Sequence, residues 1–168
     1  ESESDYTRFV FNWLSICNGL KCVAMPAKKL PVLTVDNFKK PLPGPRDFYI
    51  KTFQEHRAEH PFIMEPHRHD FYMIMLFTEG SGKHTIDMNT YDVEPGSLFF
   101  MSPGEMHAWK LSDNTNGFVI MFNSSFFVLG AHSRQVIDSP FFSLKRKQHH
   151  VKLGRAALNE HTNLFKTI

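Results

Sequence analysis

The sequence predicts a mainly β domain, an antiparallel sandwich or barrel followed by one C-terminal helix, and three observations carry that prediction. From Asp47 to Asn123, short apolar runs rich in Phe, Val, Ile, Tyr and Thr alternate with turn residues, as strands on a pleated, half-buried surface do. None of these runs has the length of a typical helix. From about Arg155 the period changes, and Ala157, His161, Leu164 and Ile168 fall at helical spacing with Leu158 and Phe165 widening the stripe.

Composition bounds the function classes. At 168 residues, with 42% hydrophobic and 21% charged side chains, the chain is globular and fills one domain. Its 17 Phe against 2 Trp and 4 Tyr predict an aromatic-rich core. The net charge is only +2 and the basic residues are scattered, so the dense positive face that grips nucleic acid is missing. Two cysteines, Cys17 and Cys22, cannot build a stapled secreted framework, and a reducing cytoplasm is the expected compartment.

Residues 1–29 read as an N-terminal extension. Its apolar stretch from Phe9 to Met25 is broken by Asn12, Asn18 and Lys21, and Glu1, Glu3 and Asp5 precede Arg8. That pattern suits neither a membrane span nor a secretory signal, so no membrane partner is expected. Residues 30–46 read as an extended arm. Pro26, Pro31, Pro41, Pro43 and Pro45 bracket Val32–Val35, and missing backbone donors allow that run at most an edge strand.

The barrel is expected over 47–150. Glu79-Gly80-Ser81-Gly82 separates a strand over His67–Thr78 from one over Lys83–Met88, Asn89-Thr90 turns into Tyr91–Val93, and Glu94-Pro95-Gly96 opens Ser97–Ser102. Pro103-Gly104-Glu105 leads to His107–Leu111, and Ser112–Gly117 leads to Phe118–Asn123. Beyond Asn123, Ser139-Pro140 marks a loop, Phe141-Phe142 a packing plug, and Lys145-Arg146-Lys147 with His149-His150 a small cationic loop that reads as a solvated turn. Residues 151–168 hold the helix. It reaches Ile168 without Gly, Asn or Pro to stop it, which leads us to expect that the native protein continues.

Candidate chemistry sits on the first long strand. Alternation puts His67, His69, Phe71, Met73, Met75 and Phe77 on one face and Arg68, Asp70 and Tyr72 on the other, while His107, Trp109 and Leu111 share a face further on. A barrel that brings these strands close gathers three imidazoles beside an indole. Neutral imidazoles on His67, His69 and His107 suit a divalent transition metal; the same histidines equally serve as plain hydrogen-bonding groups. No other cofactor is called for.

Four motifs in order then resemble a known family: Pro66-His67-Arg68-His69-Asp70-Phe71-Tyr72, Thr78–Asp87, Tyr91-Asp92-Val93-Glu94-Pro95-Gly96, and Ser102-Pro103-Gly104-Glu105-Met106-His107-Ala108-Trp109. Together they resemble the cupin-type N-terminal sensing and dimerisation domain of AraC-type bacterial transcription regulators, from about Leu30 to Phe142. The resemblance implies a cupin double-stranded β-helix, a jelly-roll barrel, whose mouth holds a small-molecule effector, often a sugar. It implies a homodimer through the following helix, with Leu158, His161, Leu164, Phe165 and Ile168 as the pairing face. DNA would be bound only by a C-terminal helix-turn-helix domain, and no residues here can be it.

Carried over position by position, the resemblance gives His67, His69, Phe71, Met73, His107, Trp109 and, on the closing strand, Met121 as the ligand-binding set. Where metal cupins carry a glutamate four residues after the second histidine, this chain has Met73, a flexible thioether that also serves as an apolar filler. His84 reads as structural. Trp109 is either an aromatic platform for the effector or a core aromatic. Two functions compete: a non-enzymatic effector-binding and dimerising module, and a free-standing metal-dependent cupin enzyme of isomerase or dioxygenase type. Met73 and the unfinished helix favour the first. Few interior charges point to a neutral or weakly polar ligand.

Overall fold

Alternating apolar and polar side chains fold the middle of the chain into strands, and the apolar faces of those strands close on one another. The computed structural model describes residues 30–38, 48–128, 139–142 and 148–168. Cys17, Cys22, the Phe9–Met25 stretch, Pro41, Pro43, Pro45 and the Lys145-Arg146-Lys147 run lie outside the described residues.

The described residues form ten strands: β1 (Val32–Leu33), β2 (Phe48–Thr52), β3 (His67–His69), β4 (Tyr72–Glu79), β5 (Gly82–Ile86), β6 (Asn89–Val93), β7 (Ser97–Met101), β8 (Met106–Leu111), β9 (Asn116–Phe122) and β10 (His150–Lys152). They form two five-stranded sheets ordered β1-β3-β8-β5-β6 and β10-β7-β4-β9-β2. All pairings are antiparallel except β1 with β3. This interleaved order is the jelly-roll of a cupin barrel. Among the described residues three α-helices accompany it: α1 (Phe53–Glu59), α2 (Ser124–Val128) and α3 (Arg155–Thr167). No helix among the described residues is long and apolar enough to cross a membrane.

The single strand expected over His67–Thr78 is two. Asp70 and Phe71 carry the chain from the first sheet to the second, so β3 pairs with β8 while β4 lies between β7 and β9. The alternation survives the crossing, because His67, His69, Phe71, Met73, Met75 and Phe77 are all buried. The turn expected at Asn89-Thr90 falls instead at Asp87-Met88, with Asp87 at φ +50°. Asn89 and Thr90 already pair with Ile86 and Thr85.

Helix α1 interrupts a region read as strands throughout. Its cause is a capping box: the Thr52 hydroxyl accepts from the Glu55 amide at 3.3 Å, and the Glu55 carboxylate accepts from the Thr52 amide at 3.3 Å. Seven residues are too few to show a helical period, but Thr52-x-x-Glu55 was there to be read. Phe53 and His56 are buried beneath it.

Two apolar clusters result. The inner one lies between the sheets and includes Phe71, Met73, Met75, Phe77, Ile86, Phe99, Met101, Trp109, Val119 and Met121. The arm contributes Leu33, Val35 and Phe38 to it; Phe38 meets Phe71 edge-on at 5.7 Å between ring centroids. As expected, Val32 and Leu33 form an edge strand, held where Arg68 N–H donates to Pro31 O and Asp70 N–H to Leu33 O, both at 3.0 Å. The outer cluster covers the far face of the second sheet. There Leu76, Leu98, Ile120 and Phe122 are buried with Phe142 and with Phe165 of α3.

The boundary expected at 150/151 therefore falls inside β10, which extends the second sheet before Gly154 opens α3. His149, read as part of a solvated turn, is buried, with Nδ1 3.6 Å from Glu105 Oε2. The apolar stripe of α3 divides. Phe165 packs on Phe118 at 5.5 Å and Leu158 joins the same cluster, whereas Leu164 and Ile168 remain 56% and 61% exposed.

Gly117 permits the tightest approach between β9 and β4, for a Cβ built there would lie 1.9 Å from the Leu76 carbonyl oxygen. Gly104, at φ +87°, has open space around it. Gly117→Ala is expected to cost about 3 kcal/mol through steric displacement, and Gly104→Ala about 1 kcal/mol through left-handed strain alone. Urea denaturation of the two variants checks the ranking.

Candidate functional site

Pairing of β3 with β8 sets His67 directly opposite His107, and pairing of β5 with β8 sets His84 opposite Trp109. The first sheet therefore presents a patch of imidazole and indole to the interior. The second sheet answers with sulfur, because Met73 of β4 stands beside Met101 of β7 and Met121 of β9 across one row. All three methionines are buried.

The histidines are joined in sequence. His67 Nδ1 lies 2.7 Å from Glu65 O, His67 Nε2 lies 2.9 Å from His107 Nε2, and His107 Nδ1 lies 3.1 Å from His84 Nε2. A carbonyl oxygen only accepts. His67 Nδ1 thus carries a proton, and the neutral ring leaves Nε2 as an acceptor. His107 must then donate through Nε2 and accept through Nδ1, and His84 must donate through Nε2. One backbone carbonyl fixes three tautomers. By the same logic His69 Nδ1 donates to Phe71 O at 2.8 Å.

Burial keeps these rings uncharged. It lowers His69 and His84 to about 3 and holds His107 well below its ordinary value, with the neighbouring imidazoles adding to the effect. His67 is also lowered, mainly by burial, although its bond to Glu65 O opposes the shift. Around the histidine chain and its indole, three buried nitrogens make no hydrogen bond among the described residues: His69 Nε2, His84 Nδ1 and Trp109 Nε1, with His150 Nε2 a further such atom on β10. Such atoms are costly unless something satisfies them.

The structure thus brings His67, His69, Phe71, Met73, His107, Trp109 and Met121 into one interior, with ring centroids of His67 and His69 lying 4.3 and 5.3 Å from that of His107. His84, read as structural, is the third link of the histidine chain. Met101 was also missed, although the alternation Ser97, Phe99, Met101 pointed it inward. In the tautomers these hydrogen bonds set, His107 Nε2 carries a proton; Met73 supplies no carboxylate, and no group of three or more His, Cys, Asp or Glu among the described residues is arranged as a metal site.

Under α1, His56 is a further buried imidazole, with Nδ1 2.9 Å from the Tyr49 hydroxyl and Phe38 5.1 Å away. Burial lowers it to about 3 and raises the Tyr49 phenol.

These imidazoles make stability depend on pH. An unfolded histidine takes up a proton near 6.5, whereas folded His56, His69 and His84 resist it down to about 3. Between those values the unfolded chain binds more protons, so acid favours unfolding. Stability is expected to be full above about pH 7 and to fall below it by about 1.4 kcal/mol per pH unit for each such histidine. Chemical denaturation between pH 8 and pH 5 measures the slope, and His56→Gln should reduce it.

A family model described as the AraC-like ligand binding domain matches residues 52–164. No curated protein matches the chain. Among solved structures it is similar to ToxT from Vibrio cholerae, at 10% identity over 71% of this chain and 47% of that one, with a TM-score of 0.42. It is similar to KdgF from Halomonas sp., at 15% identity over 45% of this chain and 68% of that one, with a TM-score of 0.35. A Bacillus subtilis oxalate decarboxylase OxdC variant matches at 18% identity over 54% of this chain and 28% of that one, with a TM-score of 0.33. The chain spans about half the length of the ToxT structure.

Proposed function

The chain belongs to the AraC-like ligand binding domain family, and from that premise we propose that it senses a small-molecule effector inside the barrel and passes the signal to a DNA-binding domain of the same regulator. The observation that carries this reading is the trio of buried, unpartnered nitrogens on His69, His84 and Trp109, set among apolar side chains and the imidazoles of His67 and His107. A core built only for stability has no use for them. Their presence between two sheets suits a receptor that exchanges its own unsatisfied groups for those of a ligand.

In this reading the domain performs no catalysis and requires no metal. Its interior imidazoles are bound to one another and to backbone carbonyls, and Met73 offers a thioether where a metal centre would use a charged oxygen. The DNA-binding partner places it in the cytoplasm. The arm acts as part of the receptor, because Val35 and Phe38 belong to the same apolar cluster as Phe71 and Met73.

The exposed part of the α3 stripe pairs two copies. Leu164 and Ile168 are available for that role, while Phe165 and Leu158 are occupied by the barrel. Sedimentation of Leu164→Asp is expected to show a weakened dimer of unchanged fold, whereas Phe165→Ala should lose about 3 kcal/mol of stability. A Leu164→Asp protein that dimerises like the parent would remove α3 from the interface.

The receptor reading is tested by thermal-shift screening of sugars, aromatics and small metabolites. A true effector at about 100 times its Kd stabilises the fold by about 2.7 kcal/mol. Trp109→Ala should abolish that shift, and a hit that raises the Tm of wild type and variant alike would not be acting in the barrel.

A further inference from the structure

The three unpartnered nitrogens of His69, His84 and Trp109 differ in kind, and the hydrogen bonds around the two imidazoles decide the role of each ring. Because Glu65 O forces His67, then His107, then His84 into single tautomers, His84 Nδ1 ends the chain as a bare lone pair. His69 Nε2 is likewise a bare lone pair, since Nδ1 is committed to Phe71 O. Trp109 Nε1 is a donor and nothing else. These three atoms therefore offer two acceptors and one donor.

Reversing His84 to accommodate an accepting ligand is blocked. Were Nδ1 to carry the proton, Nε2 would accept from His107 Nδ1, and His107 Nε2 would turn its lone pair on that of His67 at 2.9 Å. Two lone pairs facing each other at that distance repel, and His67 cannot give way while it donates to Glu65 O. The second sheet and the ring neighbours set the rest of the environment. Phe71 stacks on His69 at 4.5 Å, Phe99 meets His84 at 4.7 Å, and Met73, Met101 and Met121 line the opposite wall.

We infer that the barrel selects an uncharged, mainly apolar ligand, an aromatic one bearing one or two hydroxyl donors, with those hydroxyls given to His69 Nε2 and His84 Nδ1 and an oxygen of the ligand accepting from Trp109 Nε1. This deepens the receptor reading above and rests on it. A carboxylate finds two lone pairs and no cation. A polyol finds three partners for many hydroxyls, and each one left unpaired in this interior carries a desolvation penalty. An ether that keeps the ring but lacks the hydrogen leaves both imidazole nitrogens bare.

The test uses the full chain labelled with 15N-histidine at pH 7.5 and four probes: phenol, anisole, benzoate and D-glucose. Long-range proton–nitrogen spectra read the tautomers directly, and protonated Nδ1 on His67 and His69 with protonated Nε2 on His84 and His107 is expected. Phenol, with one hydroxyl, should shift the bare nitrogen of His84 or of His69 and bind at least tenfold tighter than anisole, benzoate or D-glucose. Replacing the nitrogen that shifts, by His84→Phe or His69→Phe, should bring phenol and anisole to within twofold of each other; the wild-type comparison stands whether or not that variant folds. Anisole equal to phenol, or benzoate or D-glucose tighter than it, would leave the barrel a receptor and overturn the donor rule. A proton on His84 Nδ1 would overturn it without any ligand. If none of the four moves a histidine signal, the receptor reading falls and this inference falls with it.

Discussion

Strand β4 is buried on both faces, and much of the molecule is arranged around that constraint. Its inner side chains, Met73, Met75 and Phe77, build the wall of the interior, while Leu76 on the other face must be hidden from water by something outside the barrel. Phe142 and α3 supply that cover. A sheet covered on both sides tolerates little slippage, because a shift of one residue would exchange its two apolar faces and break both layers at once. The close contact between Gly117 and the Leu76 carbonyl holds the register where the packing needs it.

The opposite sheet is solvent-facing on one side and spends its inner face on polar chemistry. Four imidazoles and an indole in a dry space would be destabilising as isolated groups. They persist because three of the four share protons along one chain that starts at a backbone carbonyl, and the fourth has a carbonyl of its own. Such a chain is rigid in a particular sense: no ring in it can turn over or change tautomer without disturbing the next. Its far end, Glu65, lies in sequence just before β3, the strand on which the arm pairs.

Much of this was legible in the residues. Period-2 alternation identified the inward faces of β3, β4 and β8 even though the chain changes sheets at Asp70-Phe71, because the crossing keeps the same side turned inward. The motifs around His67 and His107 pointed to a barrel and to its family. What the sequence hid was mostly non-local. His84 gains its role only from its register against β8, and the exposed and buried halves of the α3 stripe can be told apart only once Phe118 is known to lie beneath Phe165. Helix α1 was hidden for a local reason, since seven residues held by one capping box leave no periodic trace. The turn at Asp87-Met88 was misplaced because Asn89 is as good a turn former as Asp87, and only the pairing of Asn89 with Ile86 decides between them.

The order of strands in the second sheet also governs how the chain reaches this state. Strand β2 finds its partner in β9, so Phe48 waits for Phe122, and β7 is completed only when β10 arrives after a long excursion. Loop closure on that scale is slow, because entropy is lost before the pairing returns any energy. During synthesis on a ribosome the apolar residues of β2 and β4 emerge first and stand without their neighbours. The two sheets of this domain are consequently complete only after β9 and β10 have emerged, and until then the apolar strands that precede them stand exposed.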